Sequence, residues 1–200
     1  SIGTYYHPKL VFILDKVIKT LPDREFLAGI AEVIKCGIIG DKKILKLLKS
    51  NRDQILKRKN NLIFKMCYLT LKTKLNFFMN DIYEKDKRLS LNFGHTFAHA
   101  IEMAIEQKIK KDYIRHGEAV GIGMLCEIYY EKRKKEKIYK TIKSLLESYN
   151  LPTNLSLKDL PFKKINLQNS IYKNIFLDKK IIDKYPRYIS VKNFHKTHVK

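Results

Sequence analysis

Apolar positions recur along most of this chain at spacings of three and four, the pattern of helices that bury one face. In "TLPDREFLAGIAEVIKCGIIG" they fall at 26, 27, 30, 33, 34 and 38. Pro22 lies near the start of that run, with Thr20 or Asp23 in position to cap it. Residues 41–49 and 53–80 continue the helical period, the second stretch long and amphipathic, until "NDIYEKDKR" breaks it. "LNFGHTFAHAIEMAIEQ" starts another helix, "KIKKDYIR" reads as a loop, and "HGEAVGIGMLCEIYYEKRKKEK" begins a further helix. Small residues there, at Gly117, Ala119, Gly121 and Gly123, allow a neighbouring backbone to come close. Residues 138–149 make one more helix, stopped by "NLP", and helical periodicity returns around 165–177. Two runs read as strands: "LVFIL" at 10–14, bounded by Pro8 and Asp15, and "RYISV" near the C-terminus. With no internal repeat and no low-complexity linker, the pattern predicts a mainly α-helical bundle with one or two short strands at its ends.

Composition changes this picture little. Two hundred residues, 44% apolar and 30% charged, are enough for a hydrophobic core in one domain or two small ones. The formal charge of +21 comes from 41 basic and 20 acidic residues. Such an excess can mark a nucleic-acid or membrane-surface binder. Here the lysines are spread along the whole chain among abundant Ile, Asn, Tyr and Phe, with no Trp, which reads as compositional drift. The diffuse field still attracts anions such as phosphates. No run approaches the roughly 20 apolar residues of a membrane-spanning helix. The start, "SIGTYYHPKL", lacks the plan of a signal peptide and an initiator Met, as a fragment would. Cys36, Cys67 and Cys126 lie far apart in apolar-periodic segments. They fit small buried hydrophobes in a cytoplasmic protein better than a disulfide framework or a cysteine zinc site.

The candidate chemistry centres on histidine. His95 and His99, at i and i+4, share a helix face with Cβ atoms roughly 5–6 Å apart. They are either two polar residues satisfied locally or a metal and proton-transfer pair. Asn92, Gly94 and Thr96 surround the helix start with small and polar groups where core would be expected. His116 opens another predicted helix. Glu32 is flanked by Ile30, Val33 and Ile34, a setting in which a carboxylate must be paired or bind a cation. Its partner is either Lys35, one turn on, or a metal shared with two histidines, the three-ligand set of a catalytic zinc site with an open position. The H-E-x-x-H pattern of zinc proteases is absent. Lys35, Lys74, Arg88, Lys179 and Lys180 form a cationic group suited to a substrate carboxylate or phosphate.

Taken in order, "TLPDREFLAGIAEVIKCGII", Lys74 spaced seven before Asp81, Arg88 ahead of "NFGHTFAHAIE", and "HGEAVGIGM" resemble 3-dehydroquinate synthase over nearly the whole chain. The resemblance implies the helical C-terminal domain of that fold. It implies conversion of the seven-carbon keto-acid sugar phosphate DAHP to 3-dehydroquinate with loss of phosphate. That is a carbon–oxygen lyase step of the shikimate pathway to aromatic amino acids, run through transient oxidation by NAD. It implies a divalent metal, usually zinc with cobalt as an alternative, held by Glu32, His95 and His116. His99 becomes a proton-transfer residue, with Lys35 and Arg88 also catalytic. Lys74, Arg88, Asn92 and one of Lys179 and Lys180 hold the substrate. A homodimer is implied for the complete protein, with no nucleic acid and no membrane as partners.

Some positions depart from the family pattern. Ala98 stands where glycine is usual, and the segment between His99 and His116 is longer, more basic and without its usual glycine. No Gly-rich dinucleotide turn occurs anywhere in the chain. Residues 1–19 are therefore expected to be the end of a nucleotide-binding domain and linker. Residues 20–200 are expected to be the metal- and substrate-binding domain, inactive when isolated. Two rival readings are another sugar-phosphate cyclase of the same superfamily and a non-catalytic basic helical module that binds nucleic acid.

Overall fold

The structure, a computed structural model, describes residues 6, 8–109, 113–155, 164–176, 181–182 and 185–199. The helical period becomes helix almost where it is strongest: α1 (Asp23–Ile39), α2 (Lys42–Ser50), α3 (Arg52–Leu56), α4 (Asn60–Asn80), α5 (His95–Ile109), α6 (His116–Tyr130), α7 (Lys137–Ser148) and α8 (Lys164–Ile175). Two 3₁₀ turns, Asp15–Thr20 and Lys87–Asn92, precede α1 and α5. Neither Thr20 nor Asp23 caps α1. Pro22 holds the cap position without a side-chain bond, Thr20 Oγ1 donates to the Val17 carbonyl, and the Asp23 carboxylate pairs with Arg58 at 2.8 Å.

One core gathers the apolar faces of α1, α2, α4, α6 and α7. Ile30, Ile34 and Ile38 of α1 meet Leu48, Met124, Ile128, Ile142 and Leu146, all nearly or wholly buried. Each such aliphatic side chain contributes about 1.5–3 kcal/mol of burial free energy. A smaller cluster joins Ile101, Ala104 and Ile105 of α5 to Ile122 of α6 and Leu167 of α8.

Short strands lie only at the C-terminal end among the described residues. β1 (Ile181–Ile182) pairs antiparallel with β2 (Tyr185–Pro186), and β3 (Ile189–Asn193) with β4 (Lys196–Val199). The run "RYISV" read as a strand supplies β3, where Ile189 and Val191 join the core. The run at 10–14 is a correction: it forms no strand, and Leu10 to Leu14 are exposed, Phe12 at 83%. A short apolar run carries no information about whether an edge exists to receive it. No helix among the described residues is long and apolar enough to cross a membrane.

Glycines bring α6 against its neighbours. A Cβ on Gly117 would lie 1.9 Å from the Ala28 carbonyl oxygen of α1, and one on Gly123 would lie 2.0 Å from the Gly94 carbonyl oxygen. Gly94 itself has φ +83°, a conformation open mainly to glycine. The start of α6 is thus pressed on α1 at Ala28, and the turn into α5 on the middle of α6.

Candidate metal and substrate site

That junction is where the chemistry-bearing side chains converge. Glu32, His95 and His116 each direct a donor atom into one group whose members lie within 4.8 Å of one another. Glu32 stands on α1, one turn before Lys35. The Lys35 ammonium, 2% exposed as a residue, donates to Glu32 Oε1 at 2.9 Å, and Lys74 of α4 reaches Oε2 at 3.3 Å. His95 opens α5 with Nε2 3.7 Å from Glu32 Oε1, while its Nδ1 lies 3.3 Å from the Phe93 carbonyl oxygen. His116 opens α6, with Nδ1 3.0 Å from Glu102 Oε1. The ring of His99 lies 5.5 Å from that of His95 and 6.0 Å from that of His116. In a second grouping, His99, Glu102 and His116, the donor atoms also lie within 4.8 Å of one another. Glu32 thus bonds Lys35, the first of its two sequence alternatives, and also faces two histidines.

The start of α6 is secured to α1 by Arg24, whose Nε and Nη2 each donate to Glu118 at 2.8 Å. The backbone N–H of Arg115 donates to the same carboxylate at 3.0 Å. This fork fixes the residue next to His116.

Electrostatics divide the donors. Burial alone would raise the Glu32 pKa, but the Lys35 ammonium, with Lys74 and His95, holds it far below the usual carboxylate range. Burial and then the field of Lys35 push His95 well below an ordinary imidazole. His116 is pushed up, chiefly by its bond to Glu102. Burial raises the Cys36 thiol to about 11, so in the metal-free protein it stays protonated beside Lys35.

Arg88 and Asn92 belong to the 3₁₀ turn that packs on α1 and α4. Arg88 donates to the Ile82 carbonyl at 2.5 Å and lies over the Phe78 ring, and Asn92 donates to Glu84 at 2.6 Å. Asp81 organises this segment, accepting from the backbone N–H groups of Lys85, Asp86 and Arg88. Asn92 also lines a cavity of about 250 Å³ with Glu84, Thr96 and Arg187. Lys179 and Lys180 lie outside the described residues.

Three carboxylates take no role in the sequence reading. Glu102 follows His99 by three, a spacing that places it on the histidine face, and Glu84 carries no such signal. Glu127 is 1% exposed beneath the start of α5, and neither of its oxygens makes a well-formed hydrogen bond. Burial raises its pKa well above the ordinary value, against the pull of the Gly94, Ile189 and Thr96 N–H groups. A carboxyl with a raised folded pKa stabilises the fold below its unfolded pKa, near 4.5, and loses that contribution as pH climbs through the folded value. Glu127→Gln is therefore expected to gain in melting temperature relative to the unsubstituted protein between pH 5 and pH 9. A difference independent of pH in thermal melts would refute this.

The family profile described as 3-dehydroquinate synthase C-terminal matches residues 29–181. Among curated relatives, a 3-dehydroquinate synthase of Thermodesulfovibrio yellowstonii is 36% identical over 190 residues, covering 91% of this chain and 48% of the relative. One of Prochlorococcus marinus is 38% identical over 194 residues, covering 94% and 50%. The chain spans about half the length of the curated relatives it matches. Solved structures share the fold. ValA, a 2-epi-5-epi-valiolone synthase from Streptomyces hygroscopicus subsp. jinggangensis determined with NAD+ and Zn2+, superposes with a TM-score of 0.78 at 18% identity, over 100% of this chain and 53% of that one. A 2-deoxy-scyllo-inosose synthase complexed with carbaglucose-6-phosphate, NAD+ and Co2+ gives 0.68 at 23% identity, over 98% and 53%. The histidine-bearing helices, the profile match across most of the chain and the relatives that share more than a third of its residues lead to one conclusion: the chain belongs to the 3-dehydroquinate synthase C-terminal family.

Proposed function

We propose that this chain is the metal- and substrate-binding half of a 3-dehydroquinate synthase, with residues 1–19 leading in from a nucleotide-binding domain. The observation that supports it most is the single donor group formed by Glu32, His95 and His116. These residues fit a divalent transition-metal ion: one carboxylate kept ionised and one imidazole kept neutral are already in the protonation states that ligation requires. A zinc or cobalt ion held there supplies Lewis acidity toward substrate hydroxyls. NAD, held mainly by the other half of the full-length protein, supplies the hydride chemistry.

The side chains of this chain do the rest. Lys35, buried behind Glu32, keeps that carboxylate ionised and aimed. Lys74, 44% exposed along its side chain, is positioned to meet an anionic substrate group as well as Glu32. Arg88, Asn92 and one of Lys179 and Lys180 complete the cationic and polar lining that steadies the carboxylate and the departing phosphate. His99, beside both His95 and His116, receives and returns protons. The active protein is cytoplasmic and homodimeric, and the 200 residues alone release no phosphate at an appreciable rate.

The purified protein is expected to bind one equivalent of Zn2+ or Co2+, with Glu32→Ala and His95→Ala each abolishing it. A protein that takes up no ion overturns the metal site. Full-length protein given NAD+, zinc and DAHP is expected to release phosphate and form 3-dehydroquinate. The structural neighbours favour one second reading, a cyclase acting on a sugar phosphate without a carboxylate. Turnover of a hexose 6-phosphate with none of DAHP would select it. Robust phosphate release by the isolated 200 residues would overturn the claim that they are inactive.

A further inference from the structure

The two histidines of the donor group are held in the same way. His95 Nδ1 faces the Phe93 carbonyl oxygen, which leaves its Nε2 turned toward Glu32. His116 Nδ1 faces Glu102 Oε1 at 3.0 Å, and a carboxylate oxygen can only accept. The proton is therefore on Nδ1 in the neutral ring, and Nε2 carries the free lone pair. The need for such a bond differs between the two. His95 and Glu32 are largely enclosed, with side chains 14% and 22% exposed, and Glu32 is gripped by Lys35. The His116 side chain is 50% exposed, so packing alone does not select its ring orientation. Glu102 follows His95 by seven and His99 by three, which puts all three on the face of α5 that meets the start of α6.

We propose that Glu102 is the positioning residue of the site. It sets the tautomer and the angle of the His116 ring so that Nε2 completes the group with Glu32 and His95. The grouping of His99, Glu102 and His116 is then an orienting network around one ion and not a second metal centre. This rests on the metal reading above, but the tautomer can be read without metal.

The test uses Glu102→Ala and Glu102→Gln in the purified protein, with thermal melts to confirm that both fold. In metal-free protein, at a pH where His116 is neutral, ¹⁵N NMR is expected to show its ring protonated at Nδ1. Glu102→Ala loses that tautomer, whereas Glu102→Gln keeps it, because the amide oxygen still accepts. In competition against a chelator, Glu102→Ala is expected to weaken Zn2+ about 10- to 100-fold, with Glu102→Gln closer to the unsubstituted protein. An unchanged tautomer in Glu102→Ala, or zinc bound with the same affinity by all three proteins, overturns the proposal. So does a second equivalent of zinc lost with His99→Ala while Glu32→Ala leaves it in place. If no protein binds zinc but the tautomer follows Glu102 as stated, the metal reading fails and the positioning role stands.

Discussion

Gly117→Ala is expected to destabilise the protein by about 3 kcal/mol, at the upper end of overpacking effects, and to lower its melting temperature by about 6–12 °C. The added methyl would meet the Ala28 carbonyl oxygen at 1.9 Å and its carbon at 2.5 Å, both backbone atoms that no rotamer change can move aside. Relief requires α6 to back away from α1, and His116 is the residue beside the clash. Metal affinity should therefore fall together with stability. Gly29→Ala supplies the control. It lies on α1, its Cβ would touch nothing within 4 Å, and replacing a helical glycine there should stabilise by about 0.4–1 kcal/mol. Equal effects from the two substitutions would mean that close approach does not set the helix spacing.

Glu32→Ala is expected to act twice. It removes one of the three proposed ligands, so the loss of zinc affinity should exceed the about 10- to 100-fold typical of an outer-shell partner. It also strands Lys35, a residue 2% exposed whose ammonium has Glu32 at 2.9 Å. Breaking a buried pair from one side costs about 3–5 kcal/mol, and the partial exposure of Glu32 points to the lower end. Glu32→Gln separates the two effects, since its amide still accepts from Lys35 while its donor strength for an ion falls. Chelator competition and chemical denaturation of the three proteins measure both. Unchanged stability in Glu32→Ala would show that Lys35 finds another partner or loses its proton cheaply.

Much of this was legible in the chain itself. Apolar spacing located α1, α4, α5, α6 and α7, because a helix buries the residues three and four apart whatever it packs against. The unusual composition around His95 and the enclosed position of Glu32 marked them as candidates. The small residues of α6 correctly announced a close backbone approach, realised at Gly117 and Gly123. Other features carried no local signal. The apolar run at 10–14 could not declare that no described strand lies beside it. Glu127 looked like any of 20 acidic residues until the start of α5 came down over it, and Glu102, though spaced onto the histidine face, met His116 only when the start of α6 came down beside it.

The sequence by itself determined the helices, the family and a short roster of side chains able to bind an ion or an anion. All of these depend on residue type and near-neighbour spacing. Only the tertiary structure decided that positions 32, 95 and 116 meet. It also decided that Lys35 and Lys74 share one carboxylate and that Glu102 holds the His116 ring. Those outcomes turn on how closely α1, α5 and α6 cross. That distance is set by volume at contact points such as Gly117 against Ala28, between residues far apart in the chain, where periodicity carries no information.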